Sequence, residues 1–495
     1  FSGSGGNWTN DGLIASDGDI SISLGSYSGS GRLSSKGALG LSASQIDLNA
    51  ATAITAGTRG TITSSINLTN FGRLTSMGEL TVNAASLVNQ GTLGSSGNLR
   101  INTDSLSNQN GLLFSGGDMA LRVGSFTNRF ADVYSLGNLS IARDDNNGWS
   151  SSINNISATI ESGGDLSLAA DYLENRKDVF EAVGGLVSGA IGVQCYSCSS
   201  YRMKAESSHM VWVENYSSTI TKNSASSTIT SGRNLTGVGR EFVNSASTLS
   251  AVRDLSIGVQ QFTNKGATTG NYTIRRSFAA GDGLPFWYSV LAYNAANDPI
   301  YEDPDNYVGG KFVRANLHLW TADGTEFIQA TSGNGRESSH VTTFGWIWVP
   351  SETGKHAFSP PLPTYSNGVR TEAPDVVKNA SFFENVVVAS DASSSENAVV
   401  QAGGTVRINA TQNLSNSVVR EGITLGTGAA RLGATQLSGS AAPTVVLINA
   451  QLPPDLAQQQ VNPLSLPGFS LPTGQNGMFR LSGQTGTAAA VAQPV

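Results

Sequence analysis

The segment from residue 97 to residue 141 decides the fold, because one five-residue pattern occurs in it three times. The copies are GNLRI at 97–101, GDMAL at 117–121 and GNLSI at 137–141, each a glycine and a polar residue before an alternation of apolar and polar residues. A period of two is typical of a strand with one buried face, and the glycine marks the turn that precedes it. The spacing of 20 residues predicts a repeating unit of that length.

The same pattern continues on both sides of this segment, with earlier copies starting at Gly18, Gly37 and Gly78 and later ones at Gly164 and Gly404. A second pattern, in which an asparagine follows two positions after an apolar residue, recurs in phase with it. Its asparagines are Asn70, Asn89, Asn108, Asn128, Asn244, Asn264 and Asn416.

A unit of about 20 residues cannot bury its apolar face alone, so successive units have to stack. We therefore predict an all-β protein, a right-handed parallel β-helix with an inserted or appended small β-rich domain. Inward Leu, Ile and Val side chains should form continuous ladders, and the recurring asparagines should hydrogen-bond along the stack.

Composition excludes several classes of protein. The chain has 495 residues, of which 13% are charged, whereas an ordinary globular domain has roughly 25%. The net charge of −7 and the scattered Lys and Arg residues give no basic stripe for nucleic acid. The longest apolar stretch, residues 180–193, contains four glycines and is too short to span a membrane, so we predict a packed loop or a short helix there.

Two interruptions of the repeat define the predicted domain organisation. Residue 1 falls inside the pattern, so we also expect the chain to be part of a longer protein. The predicted parts are β-helix repeats (1–175), an excursion with a CxxC loop (176–218), further repeats (219–266), a β-rich receptor-binding domain (267–376), a β-helix-like or other β segment (377–450) and an extended Pro/Gly/Ala-rich tail (451–495).

The second interruption differs from the repeats in composition. It contains four of the seven tryptophans of the chain, and alternating runs at 312–320 and 342–349 predict antiparallel hairpins. The sequence leaves open whether its aromatic residues form a core or an interface. The candidate interface residues are Trp287, Tyr288, Tyr301, Tyr307, Trp320, Trp346 and Trp348, with Trp287 and Tyr288 favoured because they follow a loop-like stretch at 281–285.

Other candidate sites have weaker support. The two cysteines, Cys195 and Cys198, are compatible with a local disulfide or with two free thiols, and one CxxC pair is too few ligands for structural zinc. The acidic run at 302–305 is typical of a solvated loop. The repeat's Asp19, Glu79, Asp118 and Asp165 follow the turn glycine and are predicted to be turn residues. We predict no catalytic site, metal or cofactor, and no enzyme activity.

The repeats resemble those of filamentous haemagglutinin-type exoproteins secreted by two-partner systems, in particular the CdiA effectors of contact-dependent growth inhibition. The narrower resemblance rests on residues 155–166, 173–180, the CxxC loop and 462–467. It implies a monomeric, secreted filament on the surface of a Gram-negative cell, exported by an outer-membrane two-partner-secretion transporter. It also implies that residues 267–376 bind an outer-membrane protein or lipopolysaccharide of a target bacterium. A host-directed adhesin that binds glycans or epithelial receptors is the alternative.

Overall fold

The structure is a computed structural model that describes ten segments of the chain. These are residues 2–195, 208–279, 284–298, 307–308, 311–312, 318–321, 326–328, 370–420, 435–438 and 444–447.

The first part of the described chain consists entirely of strands connected by turns. The strands are β1 (Ser2–Thr9), β2 (Leu13–Ser16), β3 (Ile20–Gly29), β4 (Arg32–Ser35), β5 (Leu39–Leu48), β6 (Ala53–Ala56), β7 (Arg59–Asn70), β8 (Arg73–Ser76), β9 (Glu79–Asn89), β10 (Thr92–Ser95), β11 (Leu99–Gln109), β12 (Leu112–Ser115), β13 (Met119–Arg129), β14 (Asp132–Ser135), β15 (Leu139–Ala142), β16 (Ser150–Ile156), β17 (Thr159–Ser162) and β18 (Leu166–Arg176).

The later part adds longer strands and two helices. These elements are β19 (Phe180–Cys195), β20 (Ser208–Asn223), β21 (Thr228–Ser231), β22 (Leu235–Ser245), β23 (Thr248–Ala251), β24 (Leu255–Phe278), α1 (Leu284–Asn297), β25 (Tyr307–Val308), β26 (Lys311–Phe312), β27 (His318–Thr321), β28 (Glu326–Ile328), α2 (Asp375–Lys378), β29 (Phe382–Glu396), β30 (Val399–Ala402), β31 (Val406–Arg420), β32 (Thr435–Ser438) and β33 (Thr444–Leu447).

Most coils of the repeat contain one long strand and one strand of four residues, and in one coil β15 and β16 replace the long strand. The long strand β11 pairs in parallel with β13, Leu99 with Met119 and Leu106 with Phe126, so neighbouring coils are offset by one repeat. The pairing omits Asp104, where two exposed residues interrupt the alternation of burial, and the strand turns there from one side of the coil to the next. The four-residue strand β12 forms the third side, in parallel with β10 and β14. The prediction of a parallel β-helix is confirmed, and we call this stack of coils the rod.

The core of the rod is a set of aliphatic ladders. In the coil at residues 99–115, Leu99, Ile101, Leu106 and Leu113 are at most 2% exposed, and equivalent residues of the neighbouring coils lie directly above and below them. Burying one such side chain contributes about 1.5–3 kcal/mol, and the contribution recurs in every coil.

A ladder of asparagine side chains runs through the rod, as predicted. Each Nδ2 donates to the Oδ1 of the asparagine in the next coil at 2.7–2.9 Å. The first eight side chains are buried. The ladder comprises Asn70, Asn89, Asn108, Asn128, Asn155, Asn175, Asn244, Asn264 and Asn416, and so includes two residues that the sequence pattern alone did not single out.

The aspartates that follow the turn glycine have a structural role. Oδ1 of Asp19, Asp118 and Asp165 each accepts a backbone N–H from the next coil, at 2.7, 2.7 and 3.0 Å. Glu79 forms an exposed ion pair with Arg59 instead, at 3.4 Å. The prediction of turn residues is confirmed for Asp19, Asp118 and Asp165 and was wrong for Glu79, which is the first residue of strand β9.

The rod continues across both interruptions. Strand β18 pairs directly with β22, Leu166 with Leu235, and β24 pairs with β31, Leu255 with Val406. Parallel stacking ends at β31, whose next neighbours β32 and β33 are antiparallel to it. The prediction of a loop or short helix for residues 180–193 was wrong. This segment is part of strand β19, which pairs with β20 along its length. In the described part of the chain no helix has the length and hydropathy needed to cross a membrane.

Candidate binding module

Strands from both interruptions form one sheet, which we call the side module together with helices α1 and α2. Its strand order is β28, β27, β19, β20, the second half of β24, and β29. The pairing of β19 with β27 is parallel and the other pairings are antiparallel. The excursion at 176–218 and the segment at 267–376 therefore contribute strands to the same sheet.

The side module is connected to the rod by a continuous strand. The 24 residues of β24 begin in a rod coil, where Leu255 pairs with Leu235, and end in the module, where Phe278 pairs with Met210. A segment of 12 residues, 267–278, reaches about 40 Å as an extended strand. An uninterrupted strand is stiffer than a loop, so the module is held at a defined orientation to the rod.

A buried lysine joins the two insertions where they leave the rod. Lys177 Nζ lies 2.8 Å from Glu396 Oε2 and donates to Asn223 Oδ1 at 2.7 Å. Asn223 Nδ2 in turn donates to Glu396 Oε1 at 2.6 Å. The Lys177 side chain is only 5% exposed. Because Lys177 and Asn223 flank the first insertion and Glu396 ends the last strand of the second, this contact holds both insertions together.

Helix α1 packs across one face of the module's sheet. Val290 and Tyr293 of the helix pack with Ile191, Trp212 and Phe278 of the sheet, and all five side chains are at most 6% exposed. The helix depends on a glycine in β19, because a Cβ at Gly189 would overlap the Tyr293 hydroxyl.

Polar groups within this core form a closed network. Arg276 Nη1 lies 2.7 Å from Glu214 Oε2, and Tyr293 donates its hydroxyl to Glu214 Oε1 at 3.0 Å. Trp212 Nε1 donates to the Tyr293 hydroxyl at 3.0 Å, and the Arg276 guanidinium lies 4.1 Å from the centre of the Trp212 ring. Both charged side chains are at most 8% exposed. A buried ion pair needs such additional hydrogen bonds to offset its desolvation.

The pKa shifts in this network indicate a structural role and not one in proton transfer. Burial, followed by the Glu214 charge, raises the pKa of Tyr293 far above its usual range, so that its hydroxyl stays protonated and continues to donate. Burial and Glu214 also raise the pKa of Tyr216, whose ring stacks on Tyr272 at 5.4 Å. The arrangement therefore fixes helix α1 on the sheet.

The structure describes several of the residues that the sequence singled out. Trp287 and Tyr288 lie in the first half of α1, and Tyr307 lies in β25. In the register between β19 and β27, Trp320 is placed beside Gln194, and Thr321 beside Cys195. The structure thus places the strand that ends at Cys195 next to one from the tryptophan-rich segment. The structure does not describe Tyr301, Trp346, Trp348, Cys198 or the acidic run at 302–305, and the choice between a disulfide and two free thiols at Cys195 and Cys198 therefore lies outside the described residues.

No pattern in the sequence singles out the residues that hold the module together. Trp212, Glu214, Arg276 and Tyr293 are dispersed over more than 80 residues and belong to no repeated pattern. The one available signal was the run of four apolar residues at 210–213, which is typical of a buried strand.

A second polar site lies on the rod itself. The loop at residues 143–149 folds back over two earlier coils, where Asp145 accepts hydrogen bonds from Arg100 at 2.8 and 3.1 Å and from Arg122 at 2.7 Å. These groups line a cavity of about 380 Å³, which also contains Asp104 and Arg143. Positive and negative side chains are balanced there. Within the described residues no group of three or more His, Cys, Asp or Glu side chains is placed to hold a metal ion.

Comparison with known proteins identifies the rod. The family model for the haemagglutinin repeat matches well over half of the chain, at residues 4–75, 75–129, 94–148, 135–193, 218–297 and 384–418. The chain belongs to the haemagglutinin-repeat family. Haemagglutinin-repeat proteins are typically secreted surface filaments, so this member is a secreted, cell-surface protein with a structural or adhesive role. No curated protein and no solved structure matches the chain.

The matched segments of this haemagglutinin-repeat protein leave two internal gaps, residues 194–217 and 298–383. The first gap contains Cys195 and Cys198, and the second contains β27, β28 and α2. The family match therefore accounts for the rod, whereas part of the side module lies outside it.

Proposed function

We propose that this chain is the receptor-binding portion of a secreted surface filament that recognises an outer-membrane protein or lipopolysaccharide on a neighbouring bacterium. The parent protein would then deliver a toxin, located outside the sequence described here, into that bacterium. The producing cell would export the filament through an outer-membrane two-partner-secretion transporter, and the filament would act as a monomer.

The assembly of the side module from both interruptions of the repeat is the observation that supports this proposal. A rod of stacked coils gains about 4.8 Å per coil and provides reach. Two separate insertions meet on one sheet, which is connected to the rod by β24 and joined by Lys177. An aromatic-rich module held rigidly on a rod suits recognition of a surface, because aromatic residues dominate binding energy at interfaces.

Binding of the labelled full chain to cells tests this proposal. The wild-type protein should bind Gram-negative bacteria saturably and should not bind cultured epithelial cells. Trp346→Ala combined with Trp348→Ala should weaken binding at least tenfold, since interface aromatic residues contribute about 2 kcal/mol or more each. Trp149→Ala is the matched control, because Trp149 is 47% exposed on the rod, and its binding should equal that of the wild type.

The outcomes separate the alternatives. Binding to epithelial cells alone would contradict the bacterial target and favour a host-directed adhesin. Equal loss of binding in the Trp149→Ala control would show that the rod contributes the contact surface. Selection of target bacteria that no longer bind the chain should recover mutations in one outer-membrane protein or in lipopolysaccharide synthesis.

A further inference from the structure

The outer edge of strand β19 is paired with another strand over only part of its length. On one side β19 pairs with β20 from Phe180 to Cys195. On the other side β27 pairs only with residues 192–195. The described structure contains no strand beside the remainder of this outer edge.

The side chain of Asn294 covers the outer edge at Ile191, next to the start of β27. Its Oδ1 accepts the backbone N–H of Ile191 at 2.7 Å, and its Nδ2 donates to the Ile191 carbonyl at 2.8 Å. A carboxamide that both accepts and donates in this way replaces the peptide group of a neighbouring strand. Helix α1 therefore satisfies the outer edge of β19 at Ile191.

The first eight residues of β19 have no such cover among the described residues. Val183 is 63% exposed and Val187 is 49% exposed. Glu181 is the only charged residue of this stretch, and a Cβ at Gly185 would meet no atom within 4 Å. Proteins normally protect sheet edges with charges, prolines or bulges, because an exposed apolar edge pairs readily with another strand.

The opposite edge of the same sheet is protected in this way. Strand β29 contains three bulges against β24, at Phe383, Val388 and Ser393. It also carries Glu384, Asp391 and Glu396. The pairing of β19 with β20 shifts register twice, between Glu181 and Ala182 and between Leu186 and Ser188, and it is regular from Ala182 to Leu186. The open edge is thus specific to β19.

We propose that residues 180–187 of β19 receive an extended, uncharged segment of the receptor protein as an added strand. This inference rests on the proposed function and narrows its partner to a protein. Main-chain hydrogen bonds would provide affinity, and apolar side chains of the partner would cover Val183 and Val187. Strand β27 already extends the same edge, so the added strand continues an existing row. A second copy of this chain is disfavoured, because each copy has a net charge of −7.

Two matched double variants of the full chain test the proposal. Val183→Lys with Val187→Lys places charges along the open edge, whereas Phe383→Lys with Val386→Lys places equal charges at exposed sites of the protected edge, where Phe383 is 63% and Val386 39% exposed. With outer-membrane vesicles of a bound bacterium, the β19 variant should bind at least tenfold more weakly than the wild type. The β29 variant should bind equally well. Circular dichroism and thermal unfolding should show that both variants are folded.

Hydrogen exchange supplies a direct measure of strand addition. Amide exchange in residues 181–187 should slow at least tenfold when vesicles are added, and protein-free lipopolysaccharide vesicles should leave it unchanged. Unchanged exchange with bound vesicles, or equal vesicle binding by the β19 variant, would overturn the added strand but leave the proposed function intact. A wild-type chain that binds no bacterial vesicles would contradict the proposed function, and the added strand with it. Concentration-dependent dimers that protect the same amides would assign the edge to a second copy instead.

Discussion

The rod and the side module are stabilised over very different distances along the chain. Most hydrogen bonds of the asparagine ladder join residues 19 or 20 apart, as between Asn89 and Asn108. In the module, Arg276 and Glu214 are 62 residues apart, and Asn294 and Ile191 are 103 apart. The rod therefore repeats one small contribution many times, whereas the module depends on a few buried contacts, each made once. A substitution should therefore lower local stability over different parts of the chain in the two regions.

The largest expected effect is in the module. Replacing Arg276 with Met leaves the Glu214 carboxylate buried without its cation, which should reduce the local stability of the module by about 3–5 kcal/mol. Native-state hydrogen exchange should show faster exchange in β19, β20 and α1, with exchange in β13 of the rod unchanged.

A matched double variant sharpens this prediction. Adding Glu214→Gln removes the buried charge but keeps an acceptor for the Tyr293 hydroxyl, so most of the lost stability should return. Equal loosening of the rod by Arg276→Met would show that the two regions unfold as one unit.

The second effect concerns the rod and should also remain local. Asn128→Ala removes two bonds of the ladder and leaves Asn155 Oδ1 and the Thr159 carbonyl without their donor from Asn128. We expect a loss of about 2–4 kcal/mol, measured by urea unfolding. Hydrogen exchange should increase in the adjacent coils only, because each coil contacts its neighbours alone.

Asn146→Ala is the control for the ladder, since Asn146 is exposed in the loop at 143–149. It should change stability by less than about 0.5 kcal/mol. A comparable loss in both variants would contradict a specific role for the stacked amides.

A smaller effect follows from a buried carboxyl group in the rod. Burial, followed by repulsion from Asp132, raises the pKa of Glu161 to about 9. The folded state therefore holds a proton that the unfolded state loses above about pH 4.5, and stability should fall as the pH rises from about 4.5 to about 9. Glu161→Gln should be about 1–2 kcal/mol more stable than the wild type at pH 8, in thermal unfolding followed across this range. An unchanged pH dependence in the variant would assign it to other groups.

The smallest effect is expected at the loop on the rod. Hydrogen bonds from Arg100 and Arg122 lower the pKa of Asp145 to about 2, so its ion pairs persist until the pH falls from about 4 towards 2. Asp145 is solvent-exposed, and Asp145→Asn should leave the unfolding midpoint unchanged. Amide exchange in residues 143–149 at pH 7 should nevertheless become faster. Equal exchange in the variant and the wild type would show that the loop does not need this contact.

The sequence by itself determined the rod. Its glycines, alternating residues and asparagines recur at 19 or 20 residues, and a contact between neighbouring coils is a contact between two copies of one pattern. Inward and outward positions, the turn aspartates and the stacked amides could therefore be predicted from the period alone. Asn155 and Asn175 were missed because the spacing is irregular on both sides of them, with 27 residues before Asn155 and 69 after Asn175.

Only the tertiary structure decided the module. The glycine-rich stretch at 180–193 has no strong strand signal of its own, and it becomes a strand because β20 pairs with it and because Gly189 leaves room for Tyr293. Trp287 and Tyr288 follow a loop-like stretch, yet they belong to a helix whose later residues Val290 and Tyr293 pack on the sheet. Contacts between dissimilar residues 62 to 103 positions apart leave no period in the sequence, so only folding brings them together.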